Sequence, residues 1–187
     1  RIPGYHLSEL GHRMAAAAAE SLDGHPITAL WASPLQRTQE SAAPWAQRFA
    51  LEIHDDERLI EPFNRFEGLN LRRQLRREPK HWPYLVAPWR PSWGEAFTSI
   101  AARMRSAVTD AFARTVHGEA VLVSHQLPIW MVARSVAGRP LAHDPRARRC
   151  ALSSITTFAV ENGRLVEVSY REPAGDLLAE SIDLGAV

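Results

Sequence analysis

The sequence predicts an α/β fold with parallel strands, and three observations carry that prediction. Two short apolar runs, Ile27–Ala32 and Ala120–Val123, each end in a polar step and a proline that opens a helix. A third run, Ala151–Val160, turns back through Glu161-Asn162-Gly163-Arg164 into Leu165–Tyr170. Short, largely apolar strands suit a sheet covered on both faces, and a helix after each strand suits parallel neighbours. The Asn-Gly pair instead marks an antiparallel hairpin.

At 187 residues the chain fits one domain, 1–187, with a sizeable core. A net charge of +1 removes any global electrostatic case for nucleic acid. Lys80 is the only lysine. The remaining basic residues are arginines, which are good bidentate ligands for phosphate. With Cys150 as the single cysteine, neither an intrachain disulfide nor a cysteine-based metal cage can form. No apolar run is long enough to span a bilayer. Arg1-Ile2-Pro3-Gly4 reads as the middle of a loop, so a preceding segment is expected.

Taken in order, Ser8 is expected to cap an alanine-rich helix over Glu9–Leu22, whose alanines at 15–19 imply close packing. Asp23-Gly24 closes it before the Ile27–Ala32 strand. Ser33 as cap and Pro34 in the first turn predict a helix reaching Phe49. Leu51–His54 reads as an edge strand and Asp55-Asp56-Glu57 as a solvated acidic turn. Ser92 and Glu95 fit a capping box for a helix that carries Phe97, Ile100, Ala101, Met104, Val108, Ala111 and Phe112 on its core stripe. The helix after Pro128 runs through Val136 and stops at Gly138. The tail from Glu172 is expected to be peripheral.

Residues 64–93 are the least regular stretch. A short helix over Leu69–Arg77 is expected there, and arginines alternate with Phe66, Trp82, Tyr84, Trp89 and Trp93. Such a loop reads as a packed insertion or a lid over an anionic substrate before it reads as a nucleic-acid surface. Arg146, Arg148 and Arg149 form a small basic cluster without an assigned role.

Three residues stand where chemistry is usually placed. His125 lies at a strand's carboxyl end beside a helix start, where open α/β sheets bind ligands and where N–H groups attract anions. Arg37 occupies the same kind of junction after the other strand. Taken singly, a histidine satisfying a turn and a solvated arginine are the commoner readings. If the strands are parallel neighbours, however, the two junctions converge. Glu61, in Leu59-Ile60-Glu61-Pro62-Phe63, is a carboxylate in an apolar setting, which suits a general acid, although a helix-end or ion-paired glutamate is the commoner reading of the residues alone.

An ordered series of segments resembles the histidine phosphatase superfamily, also called phosphoglycerate-mutase-like. The segments are Leu7-Ser8-Glu9-Leu10-Gly11, Ser33-Pro34-Leu35-Gln36-Arg37-Thr38, Leu59-Ile60-Glu61 with Phe66-Glu67-Gly68, Gly94-Glu95 with Arg103, and Val123-Ser124-His125. The resemblance implies a three-layer α/β/α sandwich, its sheet mostly parallel with an antiparallel edge strand. It implies a phosphatase acting on a small phosphorylated substrate through a phosphohistidine, without metal or other cofactor. Arg37, His125 and Gln126 would bind phosphate, and Glu61 would protonate the leaving oxygen and then activate water. Residues 64–93 would form the rim of the site. The alternatives in keeping with the resemblance are a mutase and an inactive anion-binding scaffold. A nucleotide-binding domain of another family is disfavoured by the lack of a Gly-x-Gly-x-x-Gly or P-loop. No nucleic acid or membrane is expected, a homodimer is compatible with the sequence, and the cytoplasm is the expected location.

Two departures from the family pattern bear on this. The Arg-His-Gly motif that ends the family's first strand and supplies its nucleophile is absent from residues 1–187. A segment carrying it is therefore expected ahead of Arg1, and a chain that truly began at Arg1 would not turn over. Gln126 also replaces the usual glycine after the second histidine, where it would narrow the pocket or reach the substrate.

Overall fold

The computed structural model describes residues 4–62, 94–144 and 147–178. The expected rim over 64–93, its short helix, Phe66-Glu67-Gly68, Ser92 and Arg146 lie outside the described residues.

Helix α1 (Glu9–Glu20) begins as the sequence predicts, with the Ser8 side chain accepting the Gly11 N–H. Strand β1 (Ile27–Ala32) follows, then helix α2 (Gln36–Phe49) and the short strand β2 (Ile53–Asp55). A single 3₁₀ turn (Glu57–Leu59) leads to Glu61. Helix α3 (Phe97–Arg114), strand β3 (Glu119–Val123) and helix α4 (Gln126–Val136) form the next unit. The hairpin β4 (Ile155–Glu161) and β5 (Arg164–Arg171) and the single-turn helix α5 (Gly175–Leu178) complete the described chain.

The sheet order β2-β1-β3 is parallel throughout, with Leu30 opposite Val121 and Trp31 opposite Leu122. Alternation along the strands then separates two cores. Leu30 and Ala32, with Val121 and Val123, face α1 and α2 around Ala18, Ala19, Ala42 and Trp45. Trp31 and Leu122 face α3 and α4 around Ile100, Met104, Met131 and Val132. Helices on both faces of one sheet make the three-layer α/β/α arrangement. A fully buried leucine such as Leu30 contributes about 2 kcal/mol. The alanines Ala15, Ala18 and Ala19 pack as expected, all nearly inaccessible.

The antiparallel pair β4-β5 accompanies the mostly parallel sheet as expected; among the described residues it forms its own two-stranded ladder, and Ile155 and Phe158 join the two cores. Several local expectations need correction. Ser33 does not cap α2. Leu35 is the cap residue, and the buried Ser33 hydroxyl is engaged by His125 instead. Helix α3 starts at Phe97 with Ala96 as cap, while Glu95 accepts from Ser99 and Arg103 rather than closing a capping box. The buried stripe of α3 is Ile100, Ala101, Met104, Ala107 and Ala111, which leaves Phe112 54% exposed. Small residues on that face let α3 approach α4 closely, turning Phe112 outward. Asp56 is not freely solvated, because it caps the 3₁₀ turn and holds the Arg58 guanidinium. The region after Glu172 is partly docked, with Ala174 buried.

The hairpin turn follows its sequence signature, Asn162 and Gly163 both taking positive φ. Gly118 has a different constraint. It turns the chain into β3 at φ +82°, and an added Cβ would stand 2.2 Å from the Pro26 carbonyl oxygen. That same oxygen accepts the Glu119 N–H at 2.8 Å, so it cannot move away freely. Gly118→Ala is expected to cost about 2 kcal/mol or more, read as a lower denaturant midpoint with an unchanged slope.

Candidate active site

Parallel pairing of β1 and β3 brings their carboxyl ends together, and with them the two polar junctions. His125 is the cap residue of α4, in extended conformation, and is 9% exposed. Its Nε2 lies 3.0 Å from Ser33 Oγ and 3.3 Å from Thr38 Oγ1. Its Nδ1 lies 3.5 Å from Arg37 Nη2 and 3.7 Å from Glu61 Oε2. Two hydroxyls from the β1–α2 junction thus anchor one ring nitrogen, and the other faces a cation and a carboxylate. Arg37, in the first turn of α2, also lies 5.9 Å from the centre of the Tyr5 ring.

Glu61 reaches the same point by a different route. The Ser124 hydroxyl donates to the Leu59 carbonyl at 2.7 Å, and Arg103 donates to the Arg58 carbonyl while paired to Glu95. These bonds tie the segment around the 3₁₀ turn to the end of β3 and to α3. The Glu61 side chain is only 16% exposed. Burial raises its pKa to about 7, against the opposing charges of Arg37, Arg148 and Arg103. A carboxyl group that exchanges its proton near neutral pH, beside a histidine and an arginine, can act as an acid and then as a base.

All three of the main candidates, Arg37, Glu61 and His125, therefore meet at one place. Gln126 is next to them, but its side chain is directed elsewhere. Its amide nitrogen donates to the Cys150 carbonyl at 3.0 Å, and its oxygen accepts from Arg148 Nη1 at 3.4 Å. What Gln126 offers an anion is its backbone N–H at the first position of α4. The basic cluster noted in the sequence divides. Arg148 turns toward the site, whereas Arg149 pairs with Glu167 and lies over the Tyr170 ring at 4.6 Å.

The roles of Ser33, Thr38 and Arg148 escaped sequence reasoning. Their contacts span 92, 87 and 22 positions, and no local pattern announces them. The one available signal was Gln126 itself, a long polar side chain where the resembled family has glycine. Among the described residues no group of three or more His, Cys, Asp and Glu side chains is placed to hold a metal ion, and no helix is long and apolar enough to cross a membrane. Among the described residues, Arg37, Arg103 and Arg148 bring positive charge to Glu61.

Comparison with known proteins gives concordant results. Residues 2–173 match the family described as the histidine phosphatase superfamily (branch 1). The chain is 47% identical over 176 residues to protein Rv0525 of Mycobacterium tuberculosis (strain ATCC 25618 / H37Rv), covering 93% of this chain and 87% of that one. It is 30% identical over 157 residues to the probable phosphoglycerate mutase GpmB of Photorhabdus laumondii, covering 80% and 72%. Among solved structures it is similar to mycobacterial glucosyl-3-phosphoglycerate phosphatase Rv2419c in complex with inorganic phosphate. That match has a TM-score of 0.72 at 25% identity, over 88% of this chain and 86% of the other.

Proposed function

The chain belongs to the histidine phosphatase superfamily (branch 1), and from that premise we propose that it hydrolyses a small phosphate monoester through a phosphohistidine. The similar proteins named above include a phosphatase and a probable phosphoglycerate mutase, so phosphoryl transfer is their shared chemistry. The observation that carries the reading is the convergence of Arg37 and Glu61 on one imidazole nitrogen of His125, at 3.5 and 3.7 Å.

In this reading Arg37 and His125 hold the non-bridging oxygens of the phosphoryl group, with the first N–H groups of α4 beside them. A histidine nitrogen attacks phosphorus as the ester oxygen departs, and protonated Glu61 gives that oxygen its proton. Glu61, now a carboxylate, takes a proton from water as the water attacks the phosphohistidine. Inorganic phosphate leaves and the histidine is restored. The attacking histidine is assigned to an Arg-His-Gly segment outside Arg1–Val187. One feature supporting this is that β3 is bonded on one side only among the described residues, and all five of its residues are half-buried. The residues over 64–93 are assigned to the rim of the site, and the cytoplasm is taken as the setting.

The test uses the protein with its Arg-His-Gly segment in place, assayed with an aryl phosphate and quenched for acid-labile phosphoenzyme. Hydrolysis with a trapped phosphohistidine is expected. A folded protein that turns over nothing and never becomes phosphorylated would leave the scaffold reading in its place.

A further inference from the structure

We infer that Arg148 is a second anion-binding side chain of this site and selects phosphate esters whose organic part carries a further negative group. The inference rests on the phosphatase reading for its reaction, but its evidence is a separate set of contacts.

Arg148 precedes β4 and is held at two points. Its Nε–H donates to His143 Nε2 at 3.0 Å, and its Nη1 donates to Gln126 Oε1 at 3.4 Å. His143 Nδ1 lies 2.8 Å from the Leu141 carbonyl oxygen, which can only accept. Nδ1 therefore carries the hydrogen, and Nε2 presents a lone pair to the guanidinium. The Gln126 amide nitrogen is fixed on the Cys150 carbonyl, which orients its oxygen toward Arg148. Both partners of Arg148 are thus neutral acceptors. Among the described residues no carboxylate forms an ion pair with it, whereas Arg58, Arg103 and Arg149 each have one.

A half-buried guanidinium held in place by neutral groups keeps its charge available to a ligand. The charges of Arg148 and Glu61 act on one another, so the two groups share one electrostatic space. Another cation in that space is Arg37, which comes from α2 and touches His125. Arg148 comes from the opposite end of the chain and is braced at Gln126. With the phosphoryl group on Arg37 and His125 and the ester oxygen at Glu61, an anionic substituent on the alcohol meets Arg148. A neutral substituent would desolvate that guanidinium further without bringing it an anionic partner, which is the basis of discrimination.

Phospholactate and isopropyl phosphate form a suitable pair of probes, differing by one carboxylate. Each is tested with the full protein for turnover and, separately, for binding by calorimetry. Wild type is expected to favour phospholactate at least ten-fold in kcat/KM. Arg148→Gln should lower that ratio at least ten-fold, mainly through KM, and Arg148→Lys should restore part of it. Gln126→Ala should erode the ratio in the same direction, because the brace is lost. A mere packing role for Arg148 would lower both substrates equally and leave the ratio intact, which would overturn the inference. Turnover without discrimination would remove the Arg148 subsite and leave the phosphatase reading standing. Discriminating binding without turnover would keep the subsite and remove the phosphatase. Loss of both would remove both.

Discussion

Replacing Arg37 with alanine is expected to lower kcat/KM for an aryl phosphate by about 10³-fold, and His125→Asn to lower it by about 10²-fold or more. These magnitudes are those of a lost guanidinium clamp and a lost oxyanion donor in phosphoryl and acyl transfer. They arise because the phosphoryl group spreads negative charge over three oxygens in a site that shields little. The Arg37 guanidinium and the His125 Nδ1 face the same space. Their effects are therefore expected to be non-additive, the double variant losing less than the product of the two single losses. Steady-state kinetics on the three variants, with circular dichroism to confirm folding, provides the measurement. Additive losses would mean that the two side chains serve different steps.

Glu61→Gln is expected to have two large effects of opposite sign. For activity, alkyl phosphates should suffer far more than nitrophenyl phosphate, because only a poor leaving group needs the proton. Equal losses would argue against Glu61 as the acid. With an alkyl substrate, wild-type turnover should fall as pH rises through about 7, where Glu61 loses its proton.

For stability, the sign follows from the raised pKa. The folded protein holds the Glu61 proton more tightly than the unfolded chain does, from a reference value of 4.5. The resulting stabilisation is present in full below pH 4.5 and is lost as pH rises through about 7. Relative to an uncharged side chain, a buried carboxylate at pH 8 then costs about 3 kcal/mol. Glu61→Gln should accordingly raise the melting temperature at pH 8 by roughly 5–10 °C, and change it little at pH 4. A thermal scan at the two pH values decides the point.

The parts of this site legible in the sequence are those announced by local chemistry. His125 and Arg37 were visible because each follows a short apolar strand at a proline-opened helix, and β1 pairing with β3 does place them together. Glu61 stood out as a carboxylate among apolar neighbours, the same environment that raises its pKa. Ser33 shows why local reading fails elsewhere. As a sequence signal it resembles a helix cap, but a histidine 92 positions away engages its hydroxyl. Arg148 stood out only as one of a basic cluster without a role, since its orientation depends on Gln126 and His143 together. Phe112 fitted the helical stripe by spacing, yet the face of α3 carrying Ala101, Met104, Ala107 and Ala111 is the one that is buried. The Asn162-Gly163 turn predicted the β4-β5 hairpin but could not say how that ladder sits relative to the parallel sheet.

The account depends on one anion seat shared by two strand ends, and crystals of the protein soaked in orthovanadate examine it directly. The expected density is a tetrahedral or trigonal anion contacting Arg37 Nη2 and His125 Nδ1, with Glu61 within hydrogen-bond distance and no such density in Arg37→Ala. An anion bound instead in the arginine groove beside Trp130, lined by Arg134, Arg139 and Arg149, with nothing between Arg37 and His125, would contradict it.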